Sequence, residues 1–239
     1  MRELDIKVVG IADHGSVDEL DKLRDVLSGK GLVVFPGFAI ASTEKVHMVC
    51  LFPESTTRDQ LKQYLGELGL AGTQDGRHPS KYSCLEVAQR TFDLGGFWYA
   101  AHVTGANGLL RLGSKDEGAL THSWTDSKLG RAAQIAGPIA GLTDNYRQIV
   151  DNKNTNYDRD RAITVINAKD VAKPEDLRDA TASSWIKMTE PTFEAFKVAF
   201  PDPVSRVRLS LAETPHHGFR GLFGELRQLG HERGDVESS

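Results

Sequence analysis

Cysteine is nearly absent from this chain, whose 239 residues include only Cys50 and Cys84. Two thiols in apolar surroundings make no disulfide framework, so buried free thiols in a reducing compartment are expected. No apolar run approaches the roughly 18 residues of a bilayer span, and Met1-Arg2-Glu3-Leu4-Asp5 lacks the apolar core of a secretory signal. The expectation is a cytoplasmic protein with no membrane partner. Positive charge is not in excess either, since 29 Lys and Arg stand against 33 Asp and Glu. No broad basic field draws in a nucleic acid, although a local groove could still bind one. Neither GxGxxG nor GxxxxGK[ST] occurs, so both glycine-rich phosphate loops are missing. No internal repeat is visible.

What is present is an ordinary globular composition, 39% hydrophobic and 26% charged, sized for one large α/β domain or two small ones. An apolar strand over residues 6–11 stops at Asp13-His14-Gly15. Ser16 with Glu19 has the capping-box spacing, predicting a helix from there to about Leu27. A strand over 32–35 meets Pro36-Gly37, read as a turn. Strands over 46–52 and 97–101 flank helices predicted at 57–68 and 85–94. Residues 105–113 read as loop, 127–135 and 143–150 as helices, and 151–161 as an exposed polar loop. A β-branched strand at 162–166, a short helix at 174–177, a strand at 184–188 and a helix at 191–200 follow. From about residue 206 the pattern degrades into a tail rich in glycine, histidine and charge, expected to be poorly ordered. The reading is a domain over 1–205 and a tail over 206–239.

Alternating strands and helices predict parallel βα units, in which chemistry gathers beyond the carboxyl ends of the strands. Asp13 and His14 follow the first strand, His102 ends a later one, and Asp170 follows the strand at 162–166. A metal site built from several strand ends needs this distribution. Simpler roles stay open. His14 could cap a turn, Asp170 could cap the helix near Pro174, and His47 inside an apolar strand could be a satisfied core histidine. His78, His122, His216, His217 and His231 read as surface residues, and Trp98, Tyr99 and Trp185 as core.

These segments resemble the PHP (polymerase and histidinol phosphatase) superfamily. Ile11-Ala12-Asp13-His14 is similar to its TDH motif, and 34–40, VFPGFAI, to PGxE. The stretch 46–50 is similar to the following strand histidine, 95–102, GGFWYAAH, to GG…AH, and 167–171, NAKDV, to SDxH. The match runs in order from about residue 5 to 205. Ser184-Trp185-Ile186-Lys187-Met188 and Ser205-Arg206-Val207-Arg208 look most like PHP domains fused to AAA or SMC-like ATPases, the TrlF-like group. The resemblance implies an α/β fold, a distorted (β/α)7 barrel here lacking its first strand, that hydrolyses phosphate esters with divalent ions (Mn, Zn or Fe). Carried over by position, His14, His102 and Asp170 are implied metal ligands, with Asp13 and His47 as catalytic neighbours. The implied partners are a phosphorylated substrate, including nucleic-acid ends, and an ATPase partner or fused domain.

Three positions depart from the pattern. No HxH strand precedes Asp13, the PGxE carboxylate is Ala39, and the SDxH histidine is Ala172. A methyl group cannot ligate an ion, so fewer ions than the family's set are expected. The missing first strand would expose two sheet edges, as in a truncated or remodelled form of a longer protein. The alternative function is a catalytically degenerate domain, kept as a regulatory or docking unit for an ATPase.

Overall fold

A computed structural model describes residues 5–70, 78–113, 119–126, 128, 130–168, 170–171, 173–209 and 218–223. Ala172, His216, His217 and His231 lie outside the described residues. The first half runs β1 (Ile6–Ile11), α1 (Leu20–Ser28), β2 (Val33–Ala41), β3 (His47–Leu51), α2 (Arg58–Leu65), α3 (Cys84–Asp93) and β4 (Phe97–Ala100). The second half runs α4 (Leu109–Gly113), α5 (Ala119–Thr125), β5 (Ala132–Ile135), α6 (Asp144–Val150), β6 (Thr164–Asn167), β7 (Ser183–Lys187), α7 (Phe193–Lys197), α8 (Pro203–Arg206), β8 (Val207–Arg208) and β9 (Gly218–Leu222). The strands make one sheet in the order β6-β5-β4-β3-β2-β1-β9-β7-β8. Its ends are joined by side chains. The Asn167 backbone N–H donates to Ser184 Oγ (2.8 Å), and Asn167 Nδ2 donates to the Leu209 carbonyl (3.0 Å). The sheet is thereby nearly closed into a barrel.

Side chains alternate between the two faces, as a pleated strand requires. Val8, Phe35, Val49, Leu51, Phe97 and Tyr99 share the interior cluster. Their neighbours Val9, Val34, Phe38, Cys50 and Trp98 join the outer cluster with Leu27, Leu61, Leu65 and Val87 of the helices. One end of the interior is plugged by aromatic rings. Phe196 of α7 lies 5.2 Å from Phe35, 4.9 Å from Phe97 and 5.0 Å from Phe223 between ring centroids. Toward the other end, the mouth of the barrel, the interior residues shrink to Ala12, Ala39, Ala101 and Ala168.

Several expectations change. β2 passes straight through Pro36-Gly37, so no turn forms there. Gly37 lies opposite Leu51, and a Cβ at Gly37 would stand 2.1 Å from the Cys50 carbonyl oxygen. The glycine permits close strand approach rather than a bend. The Ser16 capping box is not realised, because Ser16 bridges back to Asp13 and α1 starts at Leu20. The helix expected over 127–135 is replaced by β5, and part of the loop at 105–113 is α4. Arg159, in the supposedly exposed polar loop, is only 6% exposed.

The largest change concerns the sheet edge. The side of β1 away from β2 is paired in parallel with β9, Val9 lying opposite Leu222. A strand from the expected tail thus occupies the position left for a missing first strand, and β1 exposes no edge. Arg220 of β9 is 6% exposed and donates from Nε to Ser183 Oγ at 2.8 Å. Tyr99 Oη donates to the Phe223 carbonyl across the interior. Phe223 itself is 0% exposed.

Candidate functional site

β1, β2, β4, β5 and β6 direct their carboxyl ends to the mouth, and antiparallel β3 brings its amino end there. Past β1 the chain stays extended. Ala39 N–H donates to the Asp13 carbonyl (2.9 Å), and Gly15 N–H donates to the Ala39 carbonyl (2.8 Å). These bonds place His14 beside Ala39 of β2. His47 opens β3 opposite Ala41. His102 follows β4 with φ 42, an unusual left-handed backbone for a histidine. Three imidazoles from three strand ends therefore meet. The His14 and His47 ring centroids are 5.1 Å apart, and those of His47 and His102 are 6.0 Å apart. All three side chains are half-buried.

Amides brace this cluster. The His102 N–H donates to Gln134 Oε1 at 3.1 Å, and Gln134 Nε2 donates to the Ala168 carbonyl at 2.5 Å. Gln134, 5% exposed, thus ties the ends of β4 and β6 together through β5. Asn107 lies over His47. Its carbonyl accepts the His47 N–H at 3.0 Å, and its Nδ2 is 3.3 Å from His47 Nε2. That loop depends on Gly108, where a Cβ would stand 2.0 Å from the His102 carbonyl oxygen. Nothing in the sequence singles out Gln134 or Asn107. An amide in a short alanine-rich strand, or in an Asn-Gly pair, carries no pattern that announces its partner.

Asp13 and Asp170 sit at the same end of the barrel. The Asp13 carboxylate accepts the His14 N–H at 2.8 Å, which steadies the extended segment leaving β1. Asp170 is half-buried, two residues beyond the Ala168 carbonyl held by Gln134. Among the described residues no three His, Cys, Asp or Glu side chains form a set able to hold an ion. At the position between His14 and β3 the strand offers Ala39, 1% exposed and part of the barrel interior. The described donors therefore do not fit a bridged pair of ions, which needs a shared carboxylate. What the arrangement does supply is a cluster of half-buried imidazole donors and acceptors at the mouth. Such groups suit an anionic oxygen.

No family model and no curated protein sequence matches the chain. Solved structures are similar in fold. One is the lesion-specific endonuclease Q of Pyrococcus furiosus, with TM-score 0.57 and 16% identity, over 86% of this chain and 50% of that one. Another is endonuclease Q in complex with a 27-mer duplex carrying an abasic lesion at its active site, with TM-score 0.57 and 15% identity, over 86% and 51%. The chain spans about half the length of these proteins. The likeness is one of fold, a mixed α/β architecture with a nearly closed barrel-like sheet. Among the described residues no helix is long and apolar enough to cross a membrane.

Proposed function

We propose that the barrel mouth is the phosphate-ester site of a PHP-type phosphoesterase module, with nucleic acid as the substrate class. The observation that carries the reading is the convergence of His14, His47 and His102 from three separate strand ends. Imidazole N–H groups there can donate to phosphoryl oxygens, and a half-buried setting strengthens such charge-assisted bonds. Asp13 orients the segment bearing His14, and Asp170 borders the mouth from the β6 side. The fold likeness to a nuclease bound to a lesion-bearing duplex favours a nucleic-acid ester over a small metabolite. A second reading, binding without turnover, is favoured by Ala39, which puts a methyl group where the resemblance implies a carboxylate.

The test is binding and cleavage of an abasic-site duplex, an intact duplex and p-nitrophenyl phosphate. Each is measured with Mn, Zn or Fe(II) added and with a chelator. Removing a hydrogen bond to a charged group costs about 1.5–3 kcal/mol, so His14→Ala and His102→Ala should each weaken duplex binding about 10- to 100-fold. Chelator-sensitive cleavage supports the phosphoesterase, and tight binding with no cleavage under any ion supports the second reading. Binding that is indifferent to both histidines would refute the assignment of the mouth.

A further inference from the structure

The end of the barrel opposite the histidines holds a concavity. A cavity of about 430 Å³ opens where β5 and β6 begin. Four cations line it, Lys128, Arg131, Arg159 and Arg161, with one carboxylate, Asp126. Four positive groups around one acid make this a local positive site on a chain of net charge −4. Phe92, 51% exposed, forms part of its wall. A neighbouring cavity of about 310 Å³ shares Phe92 and Arg131 with it, so the concavity extends along the surface. The first volume alone falls within the range of small-molecule sites.

Arg159 is the most informative group. It is 6% exposed, a costly place for a guanidinium. Its Nη2 donates to the Gly130 carbonyl and its Nε to the Arg161 carbonyl (3.3 Å), which holds it in place. Its Nη1 is buried with no hydrogen-bond partner among the described residues. Burial lowers its pKa to about 10, while Asp126 opposes that shift, so it keeps its charge at neutral pH. A buried, charged guanidinium with one unsatisfied nitrogen thus lies on the wall of a cavity where cations outnumber the carboxylate Asp126 four to one.

We infer that this basal cavity binds a nucleoside phosphate, its phosphate among Arg159, Arg161, Arg131 and Lys128 and its base against Phe92. Guanidinium forks match phosphate oxygens, and an exposed aromatic face accepts any base by stacking. The site stands apart from the histidine mouth, at the opposite ends of the strands, so it does not depend on the function proposed there.

The experiment is titration of the full chain with AMP, inorganic phosphate and adenosine. It is followed by calorimetry and by the fluorescence of Trp124, whose ring lies 5.9 Å from the Arg159 guanidinium. AMP should saturate with Kd below about 1 mM, about tenfold or more tighter than phosphate or adenosine. Arg161→Ala, at an exposed position, should weaken AMP about tenfold. Phe92→Ala should weaken AMP and leave phosphate unchanged. His102→Ala should change neither. Melting curves confirm that each variant is folded. Failure of AMP to saturate, equal affinity for AMP and phosphate, or loss of AMP binding in His102→Ala but not in Arg161→Ala would each overturn the inference.

Discussion

Phe223→Ala tests whether the late strand β9 is part of the barrel or an appendage. The ring is 0% exposed, 5.0 Å from Phe196, and shares a cluster with Phe35, Phe97 and Leu51. Gly221 makes room for it, since a Cβ there would stand 2.2 Å from the Phe223 ring. The aromatic plug is closely packed, so truncation leaves a cavity that its neighbours cannot easily fill. Phe→Ala at such sites costs about 3–5 kcal/mol. For a domain of this size each kcal/mol moves Tm by about 2–4 °C, so the drop should be about 6–20 °C. Phe92→Ala, at a half-exposed site, is the control and should stay within about 0.5 kcal/mol. The assay is a thermal melt with urea titration, which should show an unchanged m-value if the denatured state is unaffected. A Phe223→Ala protein melting with the parent would mean that residues 218–223 do not pack inside the barrel, and the reasoning about the sheet edge would fail with it.

Gly37→Ala should destabilise by about 3 kcal/mol or prevent folding, because its methyl group meets the Cys50 carbonyl across the β2–β3 ladder; urea melts measure it. Ala39→Glu places a carboxylate in the interior beside His14, so it should melt lower than the parent without ions and gain more Tm from added Mn or Zn. Equal ion-dependent shifts in parent and variant would show that position 39 does not reach the site. Burial raises the thiols of Cys50 and Cys84 from the ordinary 9.0 to about 12 each. The unfolded chain loses these protons near pH 9 while the native one keeps them, so the two thiols make stability fall as pH rises from 9 toward 12. Iodoacetamide at about pH 8 should accordingly label neither thiol until denaturant is added.

Much of the barrel can be read from local pattern, and the exceptions have physical causes. Thr57 with Gln60 and Ser83 with Glu86 form the capping boxes that start α2 and α3. The apolar runs of β1, β3, β4 and β6 lie where periodicity puts them. β5 escapes the local pattern because Ala132-Ala133-Gln134-Ile135 has helix-forming residues, whereas the crowded barrel selects small ones. β9 reads as GFRGL, two glycines around a charge, and becomes a strand only through partners distant in sequence. Ser183 satisfies Arg220, Phe223 fills the space over Gly221, and no local window contains either fact. At the mouth, the histidines were legible because each follows or opens an apolar strand. The amides that brace them were not, since hydrogen bonds such as Gln134 to Ala168 exist only after three strands align.

The insertion of β9 between β1 and β7 bears on how the protein is made. Ile6 pairs with Arg220, so during synthesis β1 waits for a strand made about 200 residues later. At typical synthesis rates of about 5–20 residues per second, that wait is roughly 10–40 s. Throughout it, Val8 and Val9 offer an unsatisfied backbone edge to any other extended chain nearby. A nascent polypeptide is therefore most exposed to aggregation before β9 emerges, and holdase chaperones should engage it longest in that interval.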